Sequence, residues 1–318
     1  MPLRISVPAT TANLGPGFDI WGLALDLRNE FICEKTTPND GKLTLSFHAG
    51  ASQVVQAADL PKAIQPDNLF IQAFNSLFKK AGVEPHAYKV QILVNVPFSR
   101  GLGSSSTAIL AGLVLANETL RREYSLAYRS EQLLEFALEF EPHPDNLTAA
   151  YYGGWQLCLP GASGYHHAQL DLRAPIKIAG VIPALPLETR DSRQLIPEQV
   201  SRSELVFQTS RVALLTNLLS KPEMSERDQS IFRMALEDKM HTQQRAHLIP
   251  GMLETFDAWH ELGALGCFLS GAGSTLLAFW PRETDIASLN LGRVFKEKNI
   301  QVLEREFRID SQGLMLLN

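Results

Sequence analysis

The sequence predicts an α+β protein of two domains. The chain has 318 residues, 45% of them hydrophobic, enough for more than one core of ordinary size. Strand-like alternation and helix-like periodicity are interspersed without a regular βαβ repeat. Turn residues cluster at Gly161–Gly164, dividing the chain into 1–165 and 166–318.

Ile5–Pro8, Phe31–Lys35 and Leu43–Phe47 read as strands. Asp67 is placed to cap an amphipathic helix that runs to Lys80 and closes at Gly82. Tyr88–Val96 alternates and reads as a strand. A loop, Pro97–Gly103, leads into a long apolar helix from about Ser104. Glu131–Phe140 is helical again, His143–Asn146 is a loop or helix start, and Trp155–Leu159 is a strand. The second half begins with a strand, Ile176–Ile182, followed by helices over Ser203–Leu219, Gln229–Met240 and Met252–Leu262. Short strands at Cys267–Leu269 and Thr275–Phe279, a helix, and a strand Gln301–Phe307 complete it.

Composition excludes several functions. Lys+Arg 29 against Asp+Glu 34 leaves a net charge of −5, and no basic block interleaves with aromatics. A nucleic acid or an anionic membrane is therefore not an expected partner. Residues 1–13 lack the apolar core of a signal peptide. The longest apolar run, Ala108–Ala116, is far short of the roughly 20 residues a bilayer demands. Cys33, Cys158 and Cys267 have no metal-type spacing and read as reduced, buried thiols of a cytoplasmic protein.

The strongest chemical signal is Pro97-Phe-Ser-Arg-Gly-Leu-Gly-Ser-Ser-Ser-Thr107, between a strand and an apolar helix. Gly101 and Gly103 permit positive φ and close backbone approach. The following helix aims unpaired N–H groups and its positive dipole end into the loop. Ser104, Ser105, Ser106 and Thr107 add hydroxyls. Such a loop suits a polyphosphate with its metal, although a glycine turn with a serine cap would look the same. It is not a Walker A loop, since no lysine follows the second glycine. Ser106 at the third glycine position also disfavours a dinucleotide fold.

Four further segments stand out. Val7–Asp19 carries Asn13 and Asp19 in turns able to grip a cation or an amine, or simply to form Asx turns. Glu135 and Glu139 lie one helical turn apart, the usual pattern of a solvated face. His143-Pro-Asp-Asn146 is a plausible capping turn. Ser270-Gly-Ala-Gly-Ser-Thr275 reads most simply as a tight hairpin or bulge.

Taken together, Pro8–Asp19, Pro97–Ser106 and Leu269–Thr275 resemble the three ordered motifs of the GHMP kinase family, and the match spans most of the chain. The resemblance implies a ribosomal-S5-like N-terminal domain, a ferredoxin-like C-terminal domain, and an active site between them. It implies ATP and Mg²⁺, with Ser105 and Glu135 in the positions of the metal ligands. Pro97, Arg100, Gly101, Leu102, Gly103, Ser104, Ser106 and Thr107 would surround the phosphates, and Asn68 would lie near the adenine. Further segments resemble the branch that phosphorylates L-homoserine for threonine biosynthesis. These are Leu23–Glu30, His143–Asn146 followed by Tyr151–Trp155, Thr189–Arg193, and Asp238-Lys-Met-His241 with Arg245. By position, Asn13, Asp19, His143, Asn146, Thr189, Arg193 and Arg245 would contact that amino acid. Arginine forks suit its carboxylate, and Asp19 suits its ammonium.

In related mevalonate kinases a catalytic aspartate follows the metal glutamate by eleven residues; the same count from Glu135 reaches Asn146. An amide cannot take up the hydroxyl proton. The expectation is therefore no side-chain general base, with Asn146 orienting the hydroxyl and Asp145 a capping group. Pro142, His241-Thr-Gln-Gln-Arg245, Ser274 and Trp21 depart from the family's usual residues and bear on fine specificity. A mevalonate-like or sugar substrate, or a non-catalytic regulatory protein of the same fold, are the alternatives. Homodimers occur in the resembled family, so a homodimer is one state open to the chain.

Overall fold

The computed structural model describes residues 2–37, 41–52, 54–61, 67–161 and 164–317. β1 (Leu3–Asn13) and β2 (Gly17–Lys35) form a long antiparallel ribbon. Only its far end alternates visibly in sequence. From Pro8 to Leu25 the ribbon is rich in Ala, Thr, Gly and Leu, and most of it is buried, so little period-2 polarity marks it. Register shifts at Pro8/Ala9 and Ala12/Asn13 bend it.

β3 (Leu43–Ala49) runs parallel to β4 (Tyr88–Val94), and β4 pairs antiparallel with β2. The crossover carries α1 (Leu69–Ala81). Its cap is Asn68 rather than Asp67: Asn68 Oδ1 accepts from Ile71 N–H at 3.2 Å. Gly82, left-handed, closes the helix. α2 (Ser104–Tyr124) lies against α1 and buries most of its residues. α3 (Ser130–Ala137) ends earlier than its apolar pattern suggests, and residues 138–140 form a turn. α4 (Pro144–Tyr152) starts with proline in its first turn, where no N–H is needed.

β5 (Trp155–Gly161) pairs with β2 and with β6 (Gly164–Leu170). Residues 162–163 of the expected boundary turn lie outside the described residues. Since β6 belongs to the first sheet, that sheet extends past residue 165 to Leu170.

The second half contributes β7 (Ile176–Pro183), α5 (Thr189–Gln194), α6 (Arg202–Ser220), α7 (Glu226–Ala235), α8 (Thr242–Arg245) and α9 (Met252–Glu261). β8 (Gly266–Leu269), β9 (Leu276–Pro281), α10 (Arg293–Glu297) and β10 (Val302–Phe307) follow. Its antiparallel sheet has the order β10-β7-β9-β8. α7 stops at Ala235, short of Met240. Asp238 accepts the N–H groups of Met240, His241 and Thr242, a side-chain alternative that competes with helix continuation. β11 (Met315–Leu317) then returns to β1. There Asp310 and the carbonyls of Ser6 and Gly313 hold Arg28.

Among the described residues, three apolar clusters form the core. One lies between the first sheet and α1 and α2, and one packs under the second sheet. The third joins Trp21, Leu23 and Trp155 of the first half to Phe232, Phe268 and Phe279 of the second. Burial of this kind, at about 25 cal/mol per Å², fixes how the two halves meet and so where their loops converge.

Candidate active site

Three turns meet in one cleft of about 340 Å³. The first joins β1 to β2. Asn13, Leu14 and Gly15 have φ of 72°, 45° and 77° there. Asn13 Oδ1 accepts from Asp19 N–H at 3.1 Å, and its Nδ2 donates to the Gly271 carbonyl at 3.1 Å.

The second turn is the loop before α2. Gly101 and Gly103 have φ of 73° and 69°. A Cβ on Gly101 would stand 2.1 Å from the Ser270 carbonyl oxygen, and one on Gly103 would stand 2.0 Å from Thr10 Oγ1. Conformation and space both demand glycine.

The third turn, Ser270–Ser274, is more than a hairpin. Ser270 Oγ lies 2.6 Å from the Gly101 carbonyl oxygen and 2.8 Å from Thr11 Oγ1. Gly271 N–H donates to Ala12 and Thr275 N–H to Arg100. This turn braces the other two, a role its own residues do not reveal.

At one end of the cleft, Asn68, Phe98, Ser99, Arg100, Gly101, Gly103, Ser104, Ser105 and Ala108 form the wall. Ser104 and Ser105 are partly exposed on the first turn of a 21-residue helix. Its N–H groups lack intrahelical acceptors and present a positive dipole end. Not every residue of the loop shares this face. Leu102, Ser106 and Thr107 are each 1% exposed, because the helical repeat turns 106 and 107 inward. Pro97 lines a neighbouring groove instead.

Glu135 requires a correction of place. It is exposed on α3 and does not line the cleft. The carboxylate of this segment that does is Glu141, 2.5 Å from His143 Nδ1. α3 ends at Ala137, so Glu135 is still on its solvated helical face while Glu141 follows the turn inward.

The other end of the cleft is ionic. Asp19 Oδ1 and Oδ2 accept from Arg193 Nη2 and Nη1 at 2.7 and 3.1 Å. These two expected substrate contacts therefore hold each other, and Arg193 lines the cleft beside Thr189. Arg245 is 1% exposed. Its Nε donates to the Ser192 carbonyl at 3.2 Å and its Nη1 to the Gly271 carbonyl at 3.0 Å. No carboxylate lies within ion-pair distance of it among the described residues. Burial, and after it Arg193, bring its pKa down to about 10, which still leaves it charged near neutrality. His241, fully buried, lies 2.9 Å from the Gly15 carbonyl through Nε2 and 3.3 Å from Arg245 Nη1 through Nδ1. A neutral imidazole donating from Nε2 and accepting at Nδ1 satisfies both contacts, and burial lowers its pKa accordingly.

Between the two ends stand Asp145 and Asn146. Thr10 Oγ1 donates to Asn146 Oδ1 at 2.6 Å, and Asp145 Oδ1 accepts from Asn146 N–H at 2.6 Å. Both residues line the cleft, so Asp145, expected as a capping group, faces it beside Asn146. Asp145 is 2% exposed. Burial first, and the charge of Asp19 second, push its carboxyl up to about 6. Asp145, Glu141 and Glu188 are cleft carboxylates that the sequence did not put in the cleft. Asp145 alone had a signal, its position inside His143–Asn146.

Family models agree with this architecture. The GHMP kinases N terminal domain matches residues 68–154, and the GHMP kinases C terminal model matches 218–290. Homoserine kinase of Clostridium botulinum (strain Alaska E43 / Type E3) is 33% identical over 317 residues, covering 99% of this chain and 98% of that one. Homoserine kinase of Prochlorococcus marinus (strain MIT 9215) is 37% identical over 284 residues, 88% of this chain and 84% of its own. Among solved structures, homoserine kinase from Cytophaga hutchinsonii superposes with a TM-score of 0.81 at 24% identity, over 99% of this chain and 97% of that one. Methanococcus jannaschii mevalonate kinase gives 0.63 at 13% identity, over 100% and 99%. These two show a shared fold. With its family matches and full-length relatives, the chain is a member of the GHMP kinase family and, within it, of the homoserine kinases.

Proposed function

We propose that the chain transfers the γ-phosphoryl group of ATP to the side-chain hydroxyl of L-homoserine, giving ADP and O-phospho-L-homoserine. The observation that carries this reading is Arg245, a buried cation lining the cleft with no carboxylate at ion-pair distance among the described residues. A buried charge without a counter-ion is costly, and a substrate carboxylate would supply one. The Asp19–Arg193 pair extends the argument. An amino acid carries one charge of each sign, so it can replace that internal pair with two new ones, its carboxylate toward Arg193 and Arg245 and its ammonium toward Asp19 and Asp145. Mevalonate has no ammonium for the aspartates, and a neutral sugar has neither charge.

The loop end suits the triphosphate. Gly101 and Gly103 clear the backbone, and the α2 N-terminus supplies free N–H groups. Magnesium, when bound, would neutralise the phosphates. Ser105, which lines the cleft, would hold it together with Glu135, which stands outside the lining and matches the charged ligand by position in the motif. Support for Glu135 is its place in the motif and its freedom: among the described residues it has no hydrogen bond or ion pair, whereas Glu141 is held by His143. Positioning and charge neutralisation then do most of the work, as in other phosphoryl transfers. Asn146, fixed by Thr10 and Asp145, orients the hydroxyl, whose proton leaves to a phosphate oxygen or water.

An ADP-release assay across homoserine, serine, mevalonate and galactose tests the reading. Homoserine should be preferred. Preference for mevalonate or galactose would reassign the acceptor, and no turnover with any of them would favour a regulatory protein of the same fold.

A further inference from the structure

We propose that Asn29 is a positioning residue for the nucleotide end of the cleft and acts through Thr107; the inference rests on the nucleotide reading above. Asn29 is 3% exposed on β2. Its Oδ1 accepts the N–H groups of Asn95 and Val96 at 2.8 and 2.9 Å. Its Nδ2 donates to Thr107 Oγ1 at 2.9 Å, and the Thr107 hydroxyl donates onward to the Ser104 carbonyl at 2.8 Å.

The place of these bonds gives them their meaning. β2 and β4 pair as far as Glu30 and Leu93, and the ladder ends there. Asn29 captures the amides of Asn95 and Val96 just past the end of β4, where the chain leaves the sheet for the phosphate loop. It also holds the first turn of α2, where the chain leaves that loop. One side chain thus fastens both stems of Pro97–Gly103. The direction of the Ser104 and Ser105 amides depends on those stems. Asn95 continues the frame, donating from Nδ2 to the Arg28 carbonyl and accepting from Ser52 N–H at Oδ1.

Thr107 lies inside a serine-rich run that reads as phosphate-binding. Its hydroxyl is fully committed inward, so its contribution to nucleotide binding passes through the loop rather than through contact. Valine at 107 keeps the shape and removes the hydroxyl, leaving Asn29 Nδ2 without its acceptor. Serine keeps the hydroxyl.

The test uses the full chain. MgATP affinity is measured by calorimetry without second substrate, amide hydrogen exchange is followed across residues 98–105, and both KM values are determined. Thr107→Val and Asn29→Ala should each weaken ATP binding about tenfold and speed loop exchange, with the homoserine KM within about twofold of the parent. Thr107→Ser should restore both readouts. The Asn29→Ala/Thr107→Val double variant should lose less than the product of the single losses, since the two share a bond. Unchanged ATP affinity in folded Thr107→Val, or Thr107→Ser damaged as badly as Thr107→Val, overturns the proposal, as does strict additivity. Should Asn29→Ala not fold, the Thr107 pair decides alone. A parent chain that binds no ATP would sink the functional reading instead, and loop exchange would still judge Asn29.

Discussion

The two ends of the cleft are built on different principles. The nucleotide end is made mainly by one short stretch whose glycines and helix start create a binding surface largely from backbone. The acceptor end is made by side chains from distant parts of the chain: Asp19 at the start of β2, Asp145 on α4, Arg193 on α5 and Arg245 on α8. The first is largely local, with rigidity borrowed from Asn29 and Ser270. The second is long-range and ionic, and its charges are unevenly paired before substrate arrives. Backbone sites are lost through geometry; ionic sites are lost through single uncompensated charges.

The largest expected effect lies at the ionic end. Arg245→Met should cost about 2–5 kcal/mol in kcat/KM for homoserine, the usual range for losing one member of a buried charge pair, and the ATP KM should change little. Equal damage to both substrates would erase the distinction between the ends. Glu135→Gln should cut kcat about a hundredfold at saturating magnesium, since metal neutralisation of phosphates is worth several kcal/mol. Glu141→Gln should cost less. The reverse order would move the cation to Glu141, inside the cleft.

Asp145→Asn sharpens the comparison from the middle of the cleft. With no side-chain base, kcat should fall by much less than the 10²–10⁴-fold typical of losing general-base catalysis, while the homoserine KM rises. A folded variant that loses about a thousandfold, together with an acidic limb in the pH–rate profile, would make Asp145 the base. The smallest effect is on stability. The Asp145 pKa is raised from 3.8 to about 6, so the folded state binds the proton more tightly than the unfolded state. Ionisation therefore costs stability as pH rises between about 4 and 6. Asparagine keeps the acceptor and removes the charge. Its melting temperature should gain on the parent through that window, level off above it, and show little gain below pH 4. A gain that grew toward acid pH would contradict this assignment.

Legibility in the sequence followed the same division. The nucleotide end was readable because glycine, proline and serine mark a loop locally, and the helix after it is long. What stayed hidden was which hydroxyls face the cleft: Ser105 and Thr107 look alike in sequence and differ only in helical phase. The ribbon Leu3–Lys35 was half hidden, since its small buried residues carry little alternation. At the acceptor end the residue types were legible, but their pairing was not. Nothing local tells Asp19 that its partner is Arg193, or that Asp145 turns inward beside Asn146. The brace at Ser270 was invisible for the same reason, because its partners Thr11 and Gly101 lie far away in the chain.

The most direct test of the account is identification of the product. The chain, MgATP and L-homoserine are incubated and followed by ³¹P NMR. The account predicts a growing phosphomonoester signal, one per ADP formed, coupled to the γ-CH₂ protons of homoserine. ADP accumulating with inorganic phosphate alone, or a phosphorylated product only when another acceptor replaces homoserine, would contradict it.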